Sequence, residues 1–193
     1  MNHPITIVPY DDRWPKEFRQ IGETLRAAMG DLALRIDHIG STSVPGLAAK
    51  NVIDVQITVR SLDPEPLAEA IAAAGYALRE GITRDHVPPG RDDDPDEWRK
   101  LYAQPPAEHR RTHVHIRQAG RANQRYALLF RDHLRASPST ATAYGQLKEA
   151  LARLHPDDID AYLAVKDPVC DIIIDGAERW ALDTGYVPGP PDH

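Results

Sequence analysis

One cysteine, two methionines and two phenylalanines are all that 193 residues hold of those types, and positive charge is the minority sign. A lone Cys170 leaves no internal disulfide framework and no cysteine-built zinc site, and it suits a reducing compartment. Lys and Arg number 23 against 29 Asp and Glu, a net charge of −6. That balance argues against a general binder of nucleic acid or of an anionic membrane, and it leaves open a small polyanionic ligand held by a local basic patch. No run of roughly eighteen apolar residues occurs, and "MNHPITIVPYDDRWPKEF" has no basic segment followed by an apolar one. The expectation is a soluble cytoplasmic protein of one domain, residues 1–193, long enough to bury a core without staples.

What is present divides into a mixed α/β part, about 1–120, and a helical part, about 121–183. Residues 4–9 alternate as a short strand does. "DDRWPKEFRQIGETLRAAMG" then reads as a helix, with Asp11 or Asp12 as cap, Trp14, Phe18, Ile21 and Leu25 at helical spacing, and Gly30 at its end. Strands are expected at 32–39 and 52–59, a helix from Asp63 to Gly75, and a strand at about 76–80. The stretch 81–110 reads as irregular, either a lid near a site or a surface insertion. "THVHIRQ" alternates strictly, helices are expected at 121–135, 138–154, 157–165 and 168–183, and 184–193 reads as a frayed tail.

Alternation places Asp54, Gln56 and Thr58 on one face of their strand and Val55, Ile57 and Val59 on the other. It likewise groups His113, His115 and Arg117 opposite Val114 and Ile116. If the two strands share a sheet, the polar rows either meet as a site or form a wet sheet face. Gly40 lets backbone approach a ligand, and Ser41, Thr42 and Ser43 offer hydroxyls and amides to phosphate oxygens; the same residues also suit an ordinary turn. Lys50 either points at phosphate or is solvated, and His38 either faces the site as a base or donor or is structural. Arg111, beside Arg110, either clamps an anion or lies in solvent. Arg131 and Arg135 share a helix face, and Arg131 either reaches the site or pairs with a carboxylate that holds the helical part onto the sheet. Tyr144 and Lys148 repeat that spacing and that ambiguity.

A strand, Gly40-Ser41, a short connection and a strand bearing Asp54, thirteen residues after Ser41, together resemble the nucleotidyltransferase superfamily. More narrowly, "DHIGSTSVPGLAAKNVIDVQITV" is similar to the signature of the GrpB family, and "RTHVHIR", "LLFRDHLRASPSTATAYGQLKEALA" and "YLAVKDPVCDIIIDGAERW" resemble its later blocks, over about residues 5–182. The resemblance implies a nucleotidyltransferase-like mixed β-sheet with flanking helices, in a domain also found fused to dephospho-CoA kinase. It makes Gly40 and Ser41 the phosphate turn and Asp54 the first carboxylate for a divalent metal, magnesium or manganese. Position 56, where a second carboxylate is expected, holds Gln56, and the place of the third falls to His115, which suits softer metals. The implied activity is transfer of a nucleotidyl or phosphoryl group to a small acceptor, with Asp54 and His115 as catalytic and metal residues. Two other readings stand beside it, a catalytically silent module for a nucleotide or a ligand of coenzyme A type, and an accessory domain acting through its helical third.

Overall fold

The computed structural model describes residues 4–193. Helix α1 (Trp14–Met29) buries Trp14, Phe18, Leu25 and Met29, the three-to-four spacing that makes one face apolar. After a short helical turn, β1 (Ala33–Ile39) leads through Gly40 and a turn at Ser41–Ser43 to β2 (Ile53–Val59). Then come α2 (Pro64–Ala73), a two-residue β3 (Ala77–Leu78), α3 (Pro95–Trp98), β4 (Leu101–Gln104) and β5 (Thr112–Gln118). Three helices follow, α4 (Ala122–Ala136), α5 (Pro138–Leu154) and α6 (Ile159–Thr184).

The sheet runs β1-β2-β5-β4-β3, with β2 and β5 parallel and the other pairs antiparallel. Its register sets Asp54 beside His113, Gln56 beside His115 and Thr58 beside Arg117. The strand faces fall as alternation requires. Val55, Ile57, Val59, Val114 and Ile116 join the core with residues of α1 and α2, while the polar rows look toward α4. That core is the largest apolar cluster among the described residues, and its burial stabilises the fold by about 25 cal/mol per Å² of apolar area.

Several expected elements differ. The strand at 4–9 is a single bridge between Val8 and Ala49, because no further residues of that segment find a ladder partner. The strand at 76–80 shrinks to Ala77–Leu78. The irregular stretch 81–110 contains α3 and β4, whose pairing with β5 a sequence poor in alternation does not announce. The expected break between 165 and 168 is absent, since α6 runs through Pro168. A proline removes one internal hydrogen bond; here Ile173, Ile174 and Ala177 bury against neighbouring helices and carry the helix past it. The end of the chain is not frayed. His193 donates its backbone N–H to the Ile36 carbonyl at 3.1 Å, and the Asp192 carboxylate accepts from the His38 N–H at 3.0 Å, so the segment lies along the outer edge of β1.

Candidate functional site

Gly40 has φ 69°, and a Cβ built on it runs into the Asp54 carboxylate. Both the left-handed backbone and the close approach demand glycine. The turn therefore sits against the one acid of β2. Lys148 of α5 reaches it from the other side, where its Nζ donates to Ser41 Oγ at 2.7 Å and to the Ala48 carbonyl at 2.6 Å and lies 4.6 Å from the centre of the Tyr144 ring. Burial, aided by the Lys166 cation, pushes the Lys148 ammonium down to about 7. Because Ser41 accepts from Lys148, its own hydroxyl proton is available to a ligand.

Across the sheet, His113 Nδ1 stands 3.2 Å and His115 Nε2 3.9 Å from Asp54 Oδ1, and Tyr102 packs edge-on against both rings. Burial works against the Asp54 carboxylate, but the His113 and His115 rings beside it outweigh that and hold the carboxyl well below the usual range. Behind His115, Lys100 Nζ and an Arg117 nitrogen each lie 3.4 Å from Nδ1. Lysine and arginine offer only donors, so Nδ1 is the acceptor and the neutral ring carries its proton on Nε2, toward Asp54. Burial first, then the Arg117 and Lys100 charges, push His115 down to about 4, so the ring is neutral at pH 7.

Those two cations are held by Asp85, which the sequence reading passed over. Its carboxylate accepts from Lys100 at 2.6 Å, from Arg117 Nε at 2.8 Å and from Asn123 at 3.0 Å. Burial opposes its charge, yet Arg117 and Lys100 keep its carboxyl well below the usual range. An acid within an irregular segment has no spacing to mark it, and only the return of that segment to the sheet through β4 brings it here.

Gly40, Asp54, Asp85, His115, Arg117 and Asn123 line a cavity of about 300 Å³. Gly40, Asp54, His115 and Arg117 form its sheet side, Tyr126 and Phe130 of α4 an aromatic wall, and Lys166 of α6 a charged rim. Tyr126 and Phe130 stack at 5.9 Å with planes 10° apart. Between 81 and 100 the chain crosses the same cavity with Asp85, His86 and Trp98, and His86 binds Asp171 of α6 at 3.1 Å. The lid reading of that stretch thus has a geometric footing that a bare surface insertion would lack.

Other expected site residues lie elsewhere. Thr42 is buried, donating to the Val52 carbonyl at 3.1 Å and accepting from His38 Nε2 at 3.0 Å. His38 stacks flat on Phe18 at 4.7 Å, on the α1 side of the sheet, and burial pushes it down to about 3. Ser43 spends its hydroxyl on the Gly40 carbonyl at 2.6 Å, closing the turn, and Arg135 braces the Ser43 carbonyl. Gln56 is engaged at both ends, accepting from Arg117 at 2.6 Å and donating to the Gln124 carbonyl at 3.1 Å. Arg117 lines the cavity, but as a member of the Asp85 network. Arg131 is buried against Asp132, Asp192 and the His38 carbonyl, the tethering alternative rather than the site one. Lys50, over the Tyr162 ring at 4.3 Å, and Arg111 border a separate groove.

One ligand atom each from Asp54, His113 and His115 lies within 4.8 Å of the others. Two imidazoles and one carboxylate suit a divalent transition metal better than magnesium, which prefers an all-oxygen shell. Asp54 and His113 meet that fit most directly, because the His115 proton must move to the side of Lys100 and Arg117 before its Nε2 can ligate.

The model of the family described as GrpB protein matches residues 4–175. A dephospho-CoA kinase of Mycolicibacterium paratuberculosis is 40% identical over 198 residues, covering 96% of this chain and 49% of that protein. The UPF0157 protein YqkA of Bacillus subtilis is 36% identical over 91% of this chain and 48% of its own length. The chain thus spans about half the length of these curated relatives. The crystal structure of the conserved protein GrpB from Enterococcus faecalis superposes with a TM-score of 0.74 at 31% identity, covering 91% of this chain and 99% of that one. A signature turn, the strand pair that flanks it and a match over nearly the whole chain all lead to the same place: this chain belongs to the GrpB family.

Proposed function

We propose that the chain is a nucleotidyltransferase-like protein, which binds a nucleotide or another phosphorylated small molecule with its phosphates at the Gly40 turn. It transfers a nucleotidyl or phosphoryl group to a small polar acceptor, with a divalent cation at Asp54. One observation carries this reading: Gly40 lines a cavity together with Asp54, and the next residue of its turn, Ser41, is bonded to Lys148. Lys148 supplies a charge-assisted donor to phosphate oxygen and Ser41 a hydroxyl donor, each fixed by the other. The aromatic wall of Tyr126 and Phe130 receives the flat, less polar body of such a ligand. His115 presents its Nε2 proton beside Asp54, held in that tautomer by the Asp85 network. Asp54 with His113 would hold a divalent cation, which would supply positive charge against phosphate oxygens. A cytoplasmic setting goes with this reading.

A second reading rests on Gln56. With both ends of its amide taken, it is no substitute for a second carboxylate, and one carboxylate is thin support for two-metal chemistry. A metal-independent binding module for a nucleotide or a ligand of coenzyme A type follows, in keeping with the dephospho-CoA kinase name of relatives twice as long. Calorimetric titration of ATP and of coenzyme A, with and without Mn²⁺, separates the two. Metal-dependent ATP binding with slow turnover favours the transferase, metal-independent binding favours the module, and no binding of either overturns both.

A further inference from the structure

Beside the Asp54 strand pair lies a second depression, a groove of about 760 Å³ bounded by residues 4–8, the 104–112 crossing and the start of α6. Lys50, Arg79, His109 and Arg111 line it, against one acid, Asp157. Arg79 gives one N–H to the neutral amide of Gln104 at 3.2 Å, and Lys50 lies over Tyr162. Among the described residues none of Lys50, Arg79 and Arg111 has an acid partner. Arg110, adjacent in sequence, shows the contrast, for it is paired with Glu17 at 2.8 Å and bonded to Asn51. Unpaired cations gathered in a concavity of a protein with net charge −6 repel one another and gain from a shared counter-charge. Burial, then the charges of Lys166 and Arg111, push the Lys50 ammonium down, against the pull of Asp54 and Asp167.

We propose that this groove is a second ligand site, distinct from the Gly40 cavity, for a multiply charged phosphate group of a small molecule. Two guanidinium forks and an ammonium match the several oxygens of such a group, whereas a single carboxylate would satisfy only one of them. Thr112 and Asn51 line the groove one and three positions from His113 and Asp54, so the bound anion lies beside the N-terminal ends of β5 and β2, the same ends that carry the cavity residue Asp54.

The test titrates inorganic pyrophosphate into the wild-type chain, the double variant Arg79→Ala/Arg111→Ala, and Arg60→Ala as an exposed control, by calorimetry and by ¹⁵N–¹H NMR. In the wild type, Gln104, Lys50 and Thr112 amides shift with pyrophosphate. In the double variant the affinity read from those amides falls tenfold or more, while Arg60→Ala leaves it within twofold. Acetate at equal ionic strength produces no such shifts. Both arginines are exposed, so the double variant melts with the wild type by circular dichroism. Equal pyrophosphate affinity in wild type and double variant, or shifts confined to residues 40–44, overturns the groove site. Groove shifts in the wild type without any response at residues 40–44 support the groove and count against the phosphate turn.

Discussion

Two halves of one short turn differ in what they can give a ligand. Gly40 lines the cavity against Asp54, and Ser41, bonded to Lys148, keeps a free hydroxyl proton. Thr42 and Ser43, next in sequence and alike in chemistry, turn inward and spend their hydroxyls on the Val52 and Gly40 carbonyls. His115 and His38 repeat the contrast on the strands that flank β2, one beside Asp54 with its tautomer set by two cations, the other flat on Phe18 in the core. A polar residue near a phosphate-type turn becomes a binding group only where the packing leaves one of its donors or acceptors unspent.

The sharpest break of this comparison is Gly40→Val. It should lower ligand affinity by more than about 100-fold by calorimetry and also lower the melting temperature, since the left-handed φ alone costs roughly 1–2 kcal/mol for an L side chain. Wild-type affinity in this variant would detach the turn from the site. Next in size is Lys148→Met, for which a lost charge-assisted contact predicts about a 10- to 100-fold weaker phosphate ligand. The wild-type affinity should itself fall as pH rises through about 7, where the ammonium loses its proton. Its folded pKa lies below its ordinary value, so between about 7 and the unfolded value of 10.5 the unfolded chain holds a proton that the folded one does not, and stability rises with pH across that window. Lys148→Met should flatten both profiles, and a steep affinity profile surviving in the variant would assign the dependence to another group. Zn²⁺ titration should then separate the two imidazoles near Asp54, with His113→Ala losing more affinity than His115→Ala. The reverse order would show that the His115 proton moves readily. Smallest is the serine pair. Ser43→Ala should cost about 1 kcal/mol of stability and leave ligand affinity alone, while Ser41→Ala should weaken the ligand a few-fold at unchanged melting temperature. Equal effects of the two would erase the division of the turn.

The strand faces were legible because alternation is a local rule, and the apolar sides of β2 and β5 could go nowhere but the core. Glycine at position 40 was legible for the same kind of reason, since a tight turn between strands restricts backbone before any partner arrives. Long-range partners were not. Asp85 and Lys100 have no periodicity, and they matter only because β4 folds back beside β5. Likewise the chain end, polar and rich in proline, gives no sign that His193 and Asp192 will bond along β1.

By itself the sequence determined the mixed α/β class, the polar rows of two strands, the close backbone at Gly40 and the lone carboxylate of Asp54, all of which follow from backbone geometry and side-chain alternation within a few residues. Only the tertiary structure decided that Gln56 and Arg131 are spent on protein partners, that His115 faces Asp54 with a proton, and that Lys148 comes from a distant helix to Ser41. The physical reason is that a hydrogen-bonding group's availability depends on who else reaches it, and those competitors lie tens of residues away in the chain, where no local pattern records them.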